Sequence, residues 1–241
     1  MKHLPLIALW PLMCISTLFA DEASTLIFQD DFERKESQEA KEELSNGWGS
    51  NSKSRAKGNK QVDLKDGAMF IKTHPEADHA ASVTHEAEFR DGSVELRFML
   101  ESEQDTLGLD FADLKFKEVH AGHLFKVDVG TKFMQINDMK TGNMNLKFYD
   151  AKRADKLTDE QKAFLKTTTK RFPAKLDAAK WHTLLVKIAG DTVAVSIDGK
   201  SAGSFTSAGF AHPTKRMLRF SVPRNAVVDD VKIYALSAAG K

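Results

Sequence analysis

A chain of 241 residues with 41% hydrophobic and 29% charged side chains has the composition of an ordinary folded protein. Its 35 Lys and Arg against 34 Asp and Glu argue against a dedicated nucleic-acid-binding domain, whose affinity comes from neutralising phosphates. The 14 Gly and 6 Pro exclude collagen-like and low-complexity chains, and beyond the N-terminus no apolar run is long enough to span a bilayer.

Residues 1–20 read as a secretory leader. Lys2 and His3 form a basic head, an apolar stretch follows, and a small-residue exit ends at Ala20, where cleavage is expected. Met13 stands before Cys14 where a lipidation motif needs a small residue, which argues against a lipoprotein. Cleavage removes the only cysteine. The mature chain, 21–241, is expected to be a single exported domain, periplasmic or secreted from a bacterium. It would be free of the membrane and held by its core rather than by disulfides.

The mature chain reads as mostly β. Strands are predicted at 26–32, 68–72, 81–89 and 93–100. In the last, Val94, Leu96, Phe98 and Leu100 alternate with Glu95, Arg97 and Met99. Asp91-Gly92 before it carries a hairpin-turn signal. Further strands are predicted at 106–111, 123–129, 133–137, 181–188, 192–197, 216–222 and 227–236, with Gly190-Asp191 and Asp198-Gly199 as turns. One helix is predicted at 158–170. Thr158 and Gln161 have capping-box spacing, and Leu157, Phe164 and Leu165 form its packing stripe. It lies in a stretch, 140–175, with ten basic and four acidic residues. That stretch reads as a solvated, partly helical insertion, with a polyanion-binding patch as the alternative. Many short strands without a strand–helix rhythm predict an all-β, antiparallel fold, a two-sheet sandwich or a barrel.

Familiar catalytic strings are missing. There is no G-x-S-x-G elbow, no phosphate-binding or dinucleotide glycine loop and no H-E-x-x-H helix. A group of acids and imidazoles stands out in the middle third: Asp113, Glu118, His120 and His123. The two histidines, three apart around Gly122, are candidate ligands for a divalent metal, with a carboxylate completing the shell. The same four residues are candidate general base and acid, or anchors of a long loop; all three readings stay open. The candidate sugar contacts are Trp48, Asp78, His79, Glu86, Arg97 and Asp110. Trp48, between two glycines in a polar loop, is the stacking candidate, whereas Trp181 is expected in the core.

Several stretches together carry a family resemblance. They are Asp30-Asp31-Phe32 with Gly47-Trp48, Asp66-Gly67-Ala68-Met69, Gly92-Ser-Val-Glu-Leu-Arg-Phe98, the strand pair 125–138 and Lys140-Thr-Gly142. The second half adds Lys180-Trp-His182, Gly190-Asp191, Ile197-Asp-Gly-Lys200 and Val228-Asp-Asp-Val-Lys-Ile233. In this order they resemble the secreted bacterial concanavalin A-like lectin/glucanase superfamily, in the branch named 3-keto-disaccharide hydrolase. The resemblance implies a jelly roll whose concave face handles a carbohydrate, and cleavage of an oxidised disaccharide or glycoside. The branch's usual Asn-Ser-Gly step is replaced by Asp105-Thr-Leu-Gly-Leu-Asp-Phe-Ala-Asp113. The E-x-D-x-x-E strand of the glucanases is absent, so laminarinase chemistry is not expected. Two functions remain open: a glycosidic-bond hydrolase or lyase of 3-keto-glycosides, and a non-catalytic carbohydrate- or protein-binding sandwich.

Overall fold

The computed structural model describes residues 24–236. The leader at 1–20, with Cys14, lies outside the described residues. The chain enters through β1 (Ser24–Asp30), the two-residue β2 (Gly49–Ser50) and the single turn α1 (Ser52–Arg55). The hairpin of β3 (Val62–Lys65) and β4 (Ala68–Lys72) precedes β5 (Ala81–Phe89), β6 (Gly92–Met99) and β7 (Thr106–Ala112). A 3-10 turn at His120–Gly122 leads into β8 (His123–Gly130) and β9 (Phe133–Asp138). Helices α2 (Leu146–Arg153) and α3 (Asp159–Thr167) follow, then β10 (Thr169–Pro173). The chain closes with β11 (Trp181–Ala189), β12 (Thr192–Ile197), β13 (Lys200–Thr206), β14 (Lys215–Val222) and β15 (Asn225–Leu236).

The strands form two sheets. The front sheet has seven strands in the order β10-β9-β8-β7-β14-β5-β2. The back sheet has eight, ordered β13-β12-β11-β6-β15-β4-β3, with β1 pairing along the second half of β15. Every pairing is antiparallel. Alternation decides what each strand buries. Val94, Leu96 and Phe98 of β6 meet Leu107, Leu109 and Phe111 of β7 in one continuous core, all at 1% exposure or less. Each such side chain contributes about 1.5–3 kcal/mol by leaving water. The tight turns Asp66-Gly67 and Asp198-Gly199 have φ of 53° and 69°, and 51° and 71°. Those positive angles suit two-residue hairpins, where Gly and Asp are tolerated.

Several expectations change here. Asp91-Gly92 is a crossing between sheets, since β5 belongs to the front and β6 to the back. Gly92 is there because a Cβ would collide with the Tyr234 carbonyl of β15. Helix α3 has the expected capping box at Thr158 and Gln161 but ends at Thr167, because Thr169–Pro173 pairs with β9 as an edge strand. The segment 140–175 therefore contributes to the sheet. Neither α2 nor α3 has a buried residue. Of the α3 stripe, Phe164 packs sideways against Phe148 of α2 at 5.5 Å between ring centroids, and Leu157 and Leu165 are half-buried. Strands β2, β3, β10 and β13 and helix α2 were not predicted. They are short, exposed or built from weak strand formers. Among the described residues no helix is long and apolar enough to cross a membrane.

Candidate functional site

The outer face of the front sheet is a polar surface laid out by strand register. One row crosses all its strands, pairing Thr169, Asn137, Lys126, Asp110, Arg219, Thr84 and Gly49 in turn. Beside it runs a second row of Arg171, Gln135, Asp128, Gly108, Ser221 and Ser82. On the other side, His123, Ala112, Met217 and Glu86 are paired. Their sequence neighbours Leu109, Val127, Ile136, Phe220 and Val83 point into the core at 0% exposure, so alternation turns these rows outward.

Asp110 lies at the centre and is only 2% exposed. Its Oδ2 lies 2.5 Å from His123 Nδ1 and accepts from Arg219 Nη1 at 3.3 Å. An ionised Asp110 makes Nδ1 the protonated nitrogen of His123 and leaves Nε2 with its lone pair. One nitrogen of Arg219, Nη1, lies 3.0 Å from Nδ1 and 3.3 Å from Nε2 of the imidazole. A buried carboxylate needs such partners, since removing it from water unpaired costs several kcal/mol. Its second oxygen, Oδ1, is buried without a hydrogen-bond partner.

The second carboxylate of the face is Asp128. Burial raises its pKa and the negative charge of Asp110 raises it further, while Lys126 at 2.8 Å opposes both; the net direction is upward. Gly108 makes room for this pair, because a Cβ there would collide with Lys126 and touch Asp128. Asn137 Nδ2 donates to Asp128 Oδ2 at 3.2 Å, and Gln135 Nε2 and Thr169 Oγ1 donate to Asn137 Oδ1 at 3.0 and 2.9 Å. Both carboxylates are ion-paired, Asp110 with Arg219 and Asp128 with Lys126, and the raised pKa of Asp128 makes it the candidate proton donor of the face.

The expected quartet divides. His123 joins Asp110 and Arg219. His120 instead stacks on Tyr149 of α2, with ring centroids 4.0 Å apart and Tyr149 Oη 3.2 Å from Nε2. Its pKa is lowered by burial first and then by His123 and Arg153. The imidazoles of His120 and His123 lie 6.4 Å apart. Gly122, at φ 73°, packs a would-be Cβ position 2.7 Å from the Asp113 carbonyl, so it closes the loop rather than converging the rings. Asp113 points away into a buried group, accepting from Arg216 at 2.7 Å and lying 3.2 Å from His212. Glu118 is exposed. Among the described residues no three His, Cys, Asp or Glu side chains are placed to hold a metal ion.

The proposed sugar contacts also scatter. Glu86 and Asp110 lie on the front face. Arg97 is on the back sheet, paired with Asp229 at 2.9 Å, so the sandwich separates it from Asp110. Asp78 and His79 sit on an exposed loop, where Asp78 accepts from Arg55 of α1 at 3.4 Å. Trp48 is core, 7% exposed, stacked on Phe220 and donating its indole N–H to Asp30 Oδ2 at 2.8 Å. That bond satisfies the polar edge of the ring and allows its burial. Trp181 is the exposed one, at 38%, under the Arg97 guanidinium at 4.6 Å. It shares parity with Thr183 and Lys187, whereas Leu184, Val186 and Ile188 face the core. Sequence reasoning missed Arg219, Lys126, Asp128, Asn137 and Tyr149. The alternation of Lys126 and Asp128 with Val127 and Val129 was the available signal.

No protein-family profile matches the chain, and no curated protein matches it in sequence. Solved structures do match in shape. One is SCLam, a non-specific endo-β-1,3(4)-glucanase from glycoside hydrolase family 16. It aligns at TM-score 0.59 and 12% identity over 89% of this chain and 92% of its own. The laminarinase from Rhodothermus marinus aligns at 0.59 and 12% over 91% and 100%. Porphyranase B from Zobellia galactanivorans aligns at 0.59 and 13% over 90% and 95%. The fold is a concanavalin A-like jelly roll. Within this jelly roll, the front sheet carries the polar rows.

Proposed function

We propose that the front face binds a carbohydrate and that the Asp110–His123–Arg219 group cleaves its glycosidic bond. The contact of His123 with Asp110, flanked by a guanidinium, carries the reading. It supplies an oriented base and a fixed positive charge on one polar surface. The glycan character draws support from the amide and hydroxyl rows of the face, and from the glucanases and porphyranase that share the fold.

The substrate that fits this group is a 3-keto-glycoside. The ketone acidifies the C2 proton, which His123 Nε2 removes while Arg219 offsets charge developing on the keto oxygen. The electron pair left at C2 expels the C1 oxygen, and Asp128, held toward its neutral form, gives that oxygen its proton. Water then adds to C1 and the proton returns to C2, so the net reaction is hydrolysis. No classical carboxylate pair of the E-x-D-x-x-E type is required. Purified protein incubated with a 3-keto-glucoside and with the parent glucoside tests this directly. Release of the aglycone from the keto compound alone supports it, and turnover of neither compound refutes it.

A non-catalytic role is favoured by one observation, the Thr169–Asn137–Gln135 ladder. It resembles a binding surface more than a reaction centre, and a carbohydrate-binding module from family 66 of Bacillus subtilis shares the fold at TM-score 0.50 and 11% identity. Binding without turnover identifies that case. Export completes the proposal, with secreted material expected to begin at or near Asp21 on N-terminal sequencing.

A further inference from the structure

Among the described residues, every arginine outside the segment 140–175 is ion-paired with a carboxylate: Arg34, Arg55, Arg90, Arg97, Arg216, Arg219 and Arg224. The two inside it, Arg153 and Arg171, are not. Of the ten basic residues in that segment only Lys162 makes an ion pair, 3.2 Å from Asp159. Lysines without an ion pair occur elsewhere as well, but among the described residues the arginines free of a carboxylate stand only in this segment.

That place borders the front face. Arg171 stands in the same register row as Gln135 and Asp128, its guanidinium 3.6 Å from the Phe133 ring centroid and one nitrogen donating to Gln135 Oε1 at 3.3 Å. Its planar group is therefore held in place with donors to spare. Arg153 approaches Tyr149, its Nη1 3.5 Å from Oη, and Tyr149 stacks on His120 beside His123. From Arg171 on β10 to Arg219 on β14 is four strand spacings, about 19 Å, enough for several sugar rings. Lys147, Lys152 and Lys156 of the helical hairpin add positive field without a fixed partner. Guanidinium forks match the two oxygens of a carboxylate or sulfate, which a neutral sugar lacks.

We propose that the front face selects an acidic glycan, its carboxylate or sulfate groups read by Arg153 and Arg171. The inference rests on the glycan reading of the face and adds the class of substituent. Calorimetry on the full chain would compare an oligogalacturonate, a sulfated galactan oligosaccharide and a neutral β-1,3-glucan oligosaccharide of equal length. At about 0.02 M salt the better of the two acidic probes is expected to bind at least about tenfold more tightly than the neutral one, a margin that shrinks at about 0.2 M as the charges are screened. The better probe distinguishes carboxylate from sulfate as the source. In R153Q/R171Q the ratio of acidic to neutral affinity is expected to fall about tenfold with the melting temperature unchanged. R153K/R171K should recover only part of it, because the charge returns without the fork.

Equal binding of acidic and neutral probes, with both lost in Arg219→Gln, would overturn the acidic preference and leave the glycan reading standing. Absence of all glycan binding overturns both. Duplex DNA bound as tightly as the acidic glycan would show a general polyanion surface and overturn the proposal. An unchanged ratio in R153Q/R171Q, with the fold intact, does the same.

Discussion

Asp110 and His123 stand on adjacent antiparallel strands, and the Asp110 carboxylate meets His123 Nδ1 at 2.5 Å because a register shift lies between them. Phe111 pairs with Phe125 while Ala112 pairs with His123, so one residue of β8 is extra at this point. Such a bulge re-aims the side chains around it. Here it accompanies the turn of an imidazole over the centre of the front sheet, where Arg219 from β14 reaches both residues.

The orientation of that imidazole is the first thing to test. Asp110→Asn places an amide opposite Nδ1, and an amide that donates there favours the tautomer with its proton on Nε2, where the base needs a lone pair. Turnover of a 3-keto-glucoside is expected to fall at least about a hundredfold, with a smaller change in KM. His123→Gln should show the same loss. Full activity in either variant removes the base from the mechanism.

On the proposed mechanism, Asp128 is expected to set the alkaline side of the activity. Its pKa is raised, chiefly by burial, so it serves as a proton donor below that raised value and fails as pH climbs through it. Lys126→Met removes the opposing cation, raising the pKa further and moving the alkaline limb of kcat to higher pH. Asp128→Asn should abolish the limb and lower kcat about a hundredfold or more on substrates with poor leaving groups. A pH profile unchanged in both variants excludes Asp128.

Lys215 is fully buried, and burial lowers its pKa to about 8 from 10.5. Its ammonium caps the carbonyls of Arg90 and His212. Between about pH 8 and 10.5 the unfolded chain still holds the proton that the folded chain has released, so this group makes stability rise with pH across that window. Below it the folded state carries the cost of a buried charge. Denaturant midpoints of wild type and Lys215→Met, measured from pH 7.5 to about 10, should differ in slope in this sense. Parallel curves would show that Lys215 does not titrate early.

Trp48 and Trp181 should respond very unequally to truncation. Trp48→Ala empties a core position and removes a donor from Asp30, at a cost of about 3–5 kcal/mol. The Asp30 pKa is lowered although burial pushes it up, because Arg34, Asn46, the Phe32 amide and Trp48 all donate to it. Trp181→Ala loses mainly its contact with Arg97, about 0.5–1 kcal/mol. Chemical denaturation of both variants checks the ranking.

Helices α2 and α3 bury no residue. Replacing residues 147–166 by a short Gly/Ser bridge should therefore leave unfolding cooperative. Extending the cut through Lys170 takes two residues of β10 with it and should lower the melting temperature. Loss of cooperativity in the shorter deletion would show that the hairpin is part of the core unit.

Much of the architecture was legible along the chain because burial has a period of two. Val94-Glu95-Leu96-Arg97-Phe98 names its own inner face, and the boundaries of β4, β5 and β12 agree with the predicted 68–72, 81–89 and 192–197. Edge strands β10 and β13 carried only a weak pattern, since Phe172 in one and Ala202 and Phe205 in the other are the few apolar residues that pack against the core. The capping box at Thr158 was readable because it is a local exchange of two hydrogen bonds.

The site was not local. Sequence proximity grouped Asp113, Glu118, His120 and His123, but the loop that joins them sends Asp113 to His212 and Arg216 and His120 to Tyr149. The residues that meet at the face come from β7, β8 and β14, and Arg219 is 109 positions from Asp110. By itself the sequence determined that the chain makes a polar-faced antiparallel sandwich, because period-two burial is written in each strand separately. Which carboxylate meets which imidazole was decided only by strand order and register, because those depend on the packing of two sheets at once.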